Sequence, residues 1–304
     1  MIDFNLHDDY VSIIAPSSAL RDNEGLMDKD LSFEKLKITL SLFEQQGFKC
    51  KYDENIFDNC SLEFFANNKQ ERLRQLKEAL LDPQVKIISA FRGGYGAAEI
   101  VFDCMDIKPS EPKILIGFSD ITVLHFLFNQ HYKFPSIHTL IHERLQNMLP
   151  EFISVMQGNN VQLELKNINQ SLSLDSEIKG ITTGGNLTLI CNMIGTKLHP
   201  VTKNKILIIE EIGEVSYRVH RSLLHLFNVG LFDEVSAVIF ADFTVSDKKI
   251  DETIQDFTLN YLHHIPVYRT KNIGHGPVNY PFAMGAKALI KDNSLIIESP
   301  FKLV

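Results

Sequence analysis

The chain contains no tryptophan, only four cysteines, and no apolar stretch approaching the roughly 18 residues a membrane-spanning helix needs. Cys50, Cys60, Cys104 and Cys191 are scattered, with no CxxC pair to suggest a zinc site or a redox dithiol. They read as reduced thiols of a cytoplasmic protein. Positive charge is also in short supply: 30 Lys and Arg stand against 38 Asp and Glu, for a net charge of -8. That balance opposes attraction to phosphate backbones and anionic membranes, so neither nucleic acid nor a lipid surface is an expected partner. The N-terminal MIDFNLHDDYVSIIAPSS has adjacent aspartates, no basic segment and no small-residue cleavage site, so no secretory signal is expected.

What the chain does have is length and apolar content: 304 residues, 44% of them hydrophobic. At roughly 150 residues per domain this suggests two domains. A chain of this size buries about 75% of its unfolded surface and needs no disulfide or structural metal.

In the first half, short apolar runs alternate with amphipathic segments. Tyr10 to Ala15 reads as a buried strand, and Phe33, Leu36, Leu40 and Phe43 recur at helical spacing up to Gly47. Leu73, Leu76 and Leu80 mark a second helix, stopped by Asp82-Pro83. Val85 to Ala90 is the next strand, followed by Arg92-Gly93-Gly94-Tyr95-Gly96 and a helix to about Met105. Lys113 to Gly117 is a further strand, and Ser119-Asp120 leads into a helix from Ile121 to about Gln130. Such alternation predicts an α/β protein with an N-terminal doubly wound, Rossmann-like parallel sheet, whose ligands sit at the carboxyl ends of the strands.

From about Leu145 to Lys179 the pattern weakens, through Gly158-Asn159-Asn160 and the polar run Asn167 to Ser176. We therefore expect domains at 1–145 and 180–304 around a linker at 146–179. In the second, Gly184-Gly185-Asn186 opens an apolar helix, and Lys205 to Glu211 and Val235 to Phe243 read as buried strands around a helix from about Val215 to Val229. The alternating runs Ala288 to Lys291 and Ser294 to Glu298 then suggest a smaller domain built on a mixed sheet.

Two loops at strand ends could carry chemistry. In Ile116-Gly117-Phe118-Ser119-Asp120 a strand turns directly into a helix, which projects the Ser119 hydroxyl as in the nucleophile elbow of serine hydrolases. Taken alone, Ser119 reads more readily as a helix N-cap, because the final glycine of G-x-S-x-G is missing. The three glycines of residues 92–96 expose backbone N–H groups fit for a phosphate or an oxyanion, though a tight turn would also need them. A serine nucleophile requires a base and a carboxylate to orient it. Among 11 histidines, His125 and His225 lie in apolar helices, His263-His264 ends a helix, and His138 follows a strand end. His275 differs, being glycine-flanked in Asn272-Ile273-Gly274-His275-Gly276-Pro277, though on its own that context reads slightly better as a plain turn. Glu210, Glu211 and Glu214, at or just past the end of a buried strand, are candidate carboxylates that position alone does not separate.

Taken together these residues resemble the S66 family of serine peptidases, the L,D-carboxypeptidases that trim muropeptides, with the microcin C resistance peptidases as a second branch. The resemblance rests on Ala15-Pro16-Ser17, Arg92-Gly93-Gly94-Tyr95-Gly96, Gly117-Phe118-Ser119-Asp120, Gly184-Gly185-Asn186-Leu187, Glu210-Glu211 with Tyr217-Arg218-Val219-His220-Arg221, and Gly274-His275 followed by Pro281 and Gly285-Ala286. It implies a triad of Ser119, Glu210 and His275, with an oxyanion hole from the backbone N–H groups of Asp120 and the Gly93-Gly94 turn. Arg92, Tyr95, Tyr217 and Arg218 become candidate substrate contacts. The family also implies a small peptide substrate, a murein tetrapeptide losing its terminal D-alanine, a homodimer, and no metal or cofactor.

Three departures stand out. Glu211 replaces the family's usual aspartate; Ser136-Ile137-His138-Thr139-Leu140 stands where a glycine-proline pair is common; and no tryptophan is present to stack the aromatic ligand of the microcin branch. The last favours muropeptide trimming over cleavage of a peptidyl-nucleotide antibiotic, while a non-catalytic binder that uses the glycine-rich loop for a small anion stays open as the alternative from another class.

Overall fold

The computed structural model describes every residue except 59, 61, 170, 171, 173–176 and 246, and no side chain at 143–145 is described. The first sheet has six strands, in spatial order Phe282–Met284, Ser136–His138, Ile114–Gly117, Val85–Ala90, Tyr10–Ile14 and Lys49–Tyr52. All pairs are parallel except the one between Phe282–Met284 and Ser136–His138. The strand order reverses between Tyr10–Ile14 and Val85–Ala90, the switch point of a doubly wound sheet. Ala15-Pro16-Ser17 and the glycine-rich loop leave the sheet there.

The helices that wind this sheet start at side-chain caps. Asp28 accepts from the Leu31 N–H at 2.8 Å to open Lys29–Glu44, and Asn68 accepts from the Glu71 N–H at 2.9 Å to open Lys69–Leu81. Past the glycine-rich loop the expected helix is only Ala97–Ile100, followed by a 3-10 turn at Phe102–Cys104. The expected single helix after Ser119 is likewise a relay: a 3-10 turn at Ser119–Ile121, an α-helix at Thr122–Phe126 and a π-turn at Leu127–Tyr132, ended by Lys133 at φ 63.

The second sheet has eight strands: Val161–Glu164, Ser294–Ile297, Lys287–Lys291, Ile178–Asn186, Lys205–Ile212, Ala237–Thr244, Val267–Arg269 and Lys166–Asn167. Its four middle strands from Ile178–Asn186 to Val267–Arg269 are parallel, and antiparallel strands flank them, which makes it the mixed sheet the sequence suggests. Residues 146–179, expected to be a linker, instead hold the helix Leu149–Met156 and two strands at opposite edges of this sheet. Leu149, Phe152, Val155 and Met156 bury one face of that helix in the core, an apolar stripe too short to stand out in sequence. Most of the polar run Asn167 to Ser176 lies outside the described residues. Gly184-Gly185-Asn186 ends a nine-residue strand, and Asn186 caps the helix Leu187–Met193.

The helices Ser216–Asn228 and Ile250–Tyr261 cover one face of the second sheet through Val219, Leu223, Leu226, Ile254 and Phe257. The first has no cap of its own. Asp247 supplies one from the neighbouring loop, accepting from the Ser216 N–H at 2.8 Å and the Lys249 N–H at 2.9 Å. The Ser216 hydroxyl and amide draw its pKa down to about 2. A depressed acid contributes stability above its unfolded pKa of about 3.9, and loses it as pH falls through the folded value. Urea unfolding should show wild type more stable than Asp247→Asn at pH 6, the gap closing toward pH 2. A constant gap would refute the cap.

Candidate active site

Ser119 is one of the non-glycine residues held at positive φ, at 63°. Such backbone is strained for a side chain and collects at functional sites. The turn is possible because position 117 has no side chain: a Cβ there would stand 2.4 Å from Ile121 Cγ2. The glycine-rich loop closes on the serine from the next strand, where a Cβ on Gly93 would lie 2.8 Å from Ser119 Cβ and 3.2 Å from its Oγ. Gly94 has φ 117, and a side chain there would meet Ser18 Oγ at 2.4 Å.

Asp120 fixes this arrangement. Its buried carboxylate accepts from Ser17 Oγ at 2.6 Å and from the Ala97 N–H at 2.8 Å, tying the elbow to the loops that follow Tyr10–Ile14 and Val85–Ala90. Burial raises its pKa, and the two hydrogen bonds oppose that shift. Behind it lies Arg72, fully buried, which donates to Pro16 O at 2.9 Å and Gly96 O at 2.8 Å, and pairs with Glu99. Nothing in the sequence marks Arg72, which occupies the buried face of an otherwise ordinary amphipathic helix.

The acid and base come from the second sheet and the loop after it. His275 Nδ1 lies 2.7 Å from Glu210 Oε2, with Glu210 wholly buried. Burial pushes the Glu210 pKa up, and the facing histidine pulls it back. Gly274 makes room for the pair, since a Cβ there would stand 2.8 Å from Glu210 Oε2. Phe118 links the pair to the elbow: it directly precedes Ser119, and its ring centroid is 4.7 Å from that of His275. Another contact joins the two sheets at Thr122, whose Oγ1 accepts from the Asn186 N–H at 3.0 Å.

The three candidate acids have different surroundings. Glu211 accepts from Asn186 Nδ2 at 2.8 Å, Thr188 N at 2.9 Å, Thr188 Oγ1 at 2.7 Å and Ile212 N at 2.8 Å, and so holds the start of the helix Leu187–Met193. Glu214 faces Arg218 at 3.5 Å near the surface. Of the candidate substrate contacts, Arg92 donates to Ala19 O at 2.8 Å, and Tyr95 is exposed beside Phe64 and Phe65. Tyr217 and Arg218 contact each other at 3.3 Å on an exposed first helical turn. Among the described residues no group of three or more His, Cys, Asp or Glu could hold a metal ion, and no helix is long and apolar enough to cross a membrane.

Fold and site together define a class: an α/β protein with a strained serine elbow on one of its two large sheets and an acid–histidine pair on the other. Residues 11–139 match the LD-carboxypeptidase N-terminal domain, and residues 179–290 match the LD-carboxypeptidase C-terminal domain. The chain belongs to the LD-carboxypeptidase family, the S66 peptidases, and is a serine-type carboxypeptidase. It is 33% identical to a putative carboxypeptidase of Rickettsia conorii, over 97% of this chain and 90% of the relative. It is 27% identical to the murein tetrapeptide carboxypeptidase of Pseudomonas aeruginosa, over 95% of each. The fold matches the crystal structure of muramoyltetrapeptide carboxypeptidase from Oxalobacter formigenes with a TM-score of 0.76, at 24% identity and covering 95% of this chain and 99% of that one. It also matches the microcin C7 self immunity protein MccF, with a TM-score of 0.74, 16% identity, and 98% and 97% covered.

Proposed function

We propose that this peptidase removes the terminal D-alanine from murein tetrapeptides in the cytoplasm, as a step of peptidoglycan recycling, and that it acts as a homodimer. The observation that carries the reading is the 2.7 Å contact between His275 Nδ1 and the buried Glu210, presented beside an elbow that holds Ser119 at φ 63. With Nδ1 engaged by the acid, Nε2 is the nitrogen left to act as base. It takes the Ser119 proton as Oγ attacks the carbonyl between the L-centre and D-alanine. The tetrahedral oxyanion is met by the N–H groups of Asp120 and the Gly93-Gly94 turn, donors held in place before the charge develops. Collapse breaks the peptide bond, His275 hands the proton to the departing amine, and water hydrolyses the acyl-enzyme by the same route. Nucleophile and base would come from different sheets, so neither half of the chain should act alone.

The murein names of the relatives support this choice of substrate. Incubation with a purified tetrapeptide should yield, by mass spectrometry, a tripeptide and one alanine, with rates unaffected by chelators. An intact tetrapeptide, or turnover that a chelator abolishes, would count against the reading.

A further inference from the structure

The strand Ala237–Thr244 does not run in even register against Lys205–Ile212. Ile209 lies opposite Phe240 and Glu211 opposite Phe243, so Glu210 alone faces the pair Ala241 and Asp242. This is a β-bulge, a device that re-aims a side chain and is frequent beside active sites. Strict alternation would send Asp242 to the face of Phe240, which packs with the covering helices. The extra residue puts it on the face of Glu210 instead.

There the half-buried Asp242 meets the segment that carries His275. Its N–H donates to Ile273 O at 3.0 Å, and the N–H groups of Asn272 and Ile273 lie against its carboxylate. A Cβ on Gly276 would stand 2.8 Å from Asp242 Oδ2. The far side of the same loop is closed by the buried Asn279, whose Oδ1 accepts from the Gly274 N–H at 3.0 Å, and by the Tyr280 N–H donating to Asn272 O at 2.7 Å. Among the described residues the His275 side chain has one hydrogen bond, to Glu210. The imidazole can swing about that bond unless its backbone is pinned, and the bulge supplies the outer pin.

We propose that Asp242 is a positioning residue, anchoring the loop 272–276 so that the His275 imidazole meets Ser119 at reacting distance. The inference rests on the Ser119–His275–Glu210 reading above.

Misplacing a catalytic group by about 1 Å can cost about 10²-fold in rate. Asp242→Ala should therefore lower kcat on tetrapeptide about 10²-fold, with KM within about threefold of wild type. Asparagine keeps an acceptor oxygen at the same reach, so Asp242→Asn should recover kcat to within about fivefold. Gly276 is not in left-handed backbone, so Gly276→Ala is sterically compatible with the chain, but its new methyl displaces the carboxylate. It should lower kcat about tenfold although residue 242 is still aspartate. A fluorophosphonate probe that labels Ser119 reads the base without using peptide specificity, and its labelling rate should fall in parallel in Asp242→Ala and Gly276→Ala. Unchanged kcat and labelling in Asp242→Ala would overturn the proposal. So would a rise in KM at constant kcat in both Asp242 variants, which would make Asp242 a substrate contact. If wild type hydrolyses tetrapeptide but Ser119 takes no label, the triad reading falls and the anchoring role with it. If wild type is labelled and active and Asp242→Ala matches it, the anchoring role falls alone.

Discussion

Alanine at Ser119 or at His275 is expected to lower kcat for tetrapeptide hydrolysis by about 10⁶-fold, and Glu210→Gln by about 10⁴-fold, the scale of such losses in other serine-protease triads. The double variant Ser119→Ala/His275→Ala should be no slower than either single one, because each already removes the whole proton-transfer unit. Glu210→Gln separates orientation from packing. The amide has the carboxylate's shape and leaves Gly274 undisturbed, but it no longer favours a proton on Nδ1, so Nε2 is no longer held ready as base. Burial disfavours the ionised Glu210, so the same change should leave the melting temperature equal or higher. Active-site acids often carry such a trade between stability and rate. Glu211→Gln is the control. Glu211 accepts three hydrogen bonds from the start of one helix and a fourth from the Ile212 N–H, so its loss should register in stability first. If Glu211→Gln abolished turnover with the fold intact while Glu210→Gln did not, the acid assignment would be reversed. Rates from burst and steady-state kinetics, with melting curves on the same preparations, decide the matter.

The strands of the first sheet could be read from sequence because a parallel sheet buried on both faces leaves near-continuous apolar runs, and Val85 to Ala90 is such a run. The glycines at 93, 94, 117 and 274 were visible as glycines. Sequence did not show what each gives way to: Ser119, Ser18, Ile121 and Glu210 in turn. Periodicity carries no record of these encounters, which join segments far apart in the chain. The same holds for the choice among acids. Glu210 and Glu211 are neighbours on one strand, and only the strand's alternation sends the first toward His275 and the second toward Thr188. The bulge at Ala241–Asp242 was equally hidden, because an extra residue in a strand shows only against its partner. The supposed linker failed for a related reason: edge strands of four and two residues are too short for a periodic signal, and their pairing partners lie far along the chain.

Phenylalanine in place of His138 is expected to stabilise the protein, and more so in acid. His138 is fully buried, and among the described residues neither of its ring nitrogens has a hydrogen-bond partner. Phe118, His125 and Phe282 surround it, with ring centroids at 5.7, 6.1 and 5.0 Å. Burial holds its pKa well below the usual histidine value, and the nearby His125 and His275 push in the same direction. The linkage then has a definite sign. Below about pH 6.5 the unfolded chain binds a proton at this histidine that the native state refuses, so stability falls as pH falls. From pH 7 to pH 5 that amounts to about 2 kcal/mol. His125, whose pKa burial lowers to about 4, behaves alike, but it contacts Ser136 Oγ at 2.6 Å and Gly117 O at 2.9 Å, so replacing it would also break contacts. Asp120 and Glu210, with pKa values raised by burial, pull the other way and gain stability on acidification. The absolute pH curve is therefore a sum of opposing parts, whereas the difference between wild type and His138→Phe isolates one histidine. That difference should be about 2 kcal/mol larger at pH 5 than at pH 7 in urea unfolding. At pH 7 the variant should already lead by about 1–3 kcal/mol, because it removes two buried polar atoms that have no hydrogen-bond partner among the described residues. Parallel curves for the two proteins would mean that His138 titrates normally in the folded state, which requires water at its ring nitrogens. It would then be part of a hydrated pocket beside Phe118 rather than of the core.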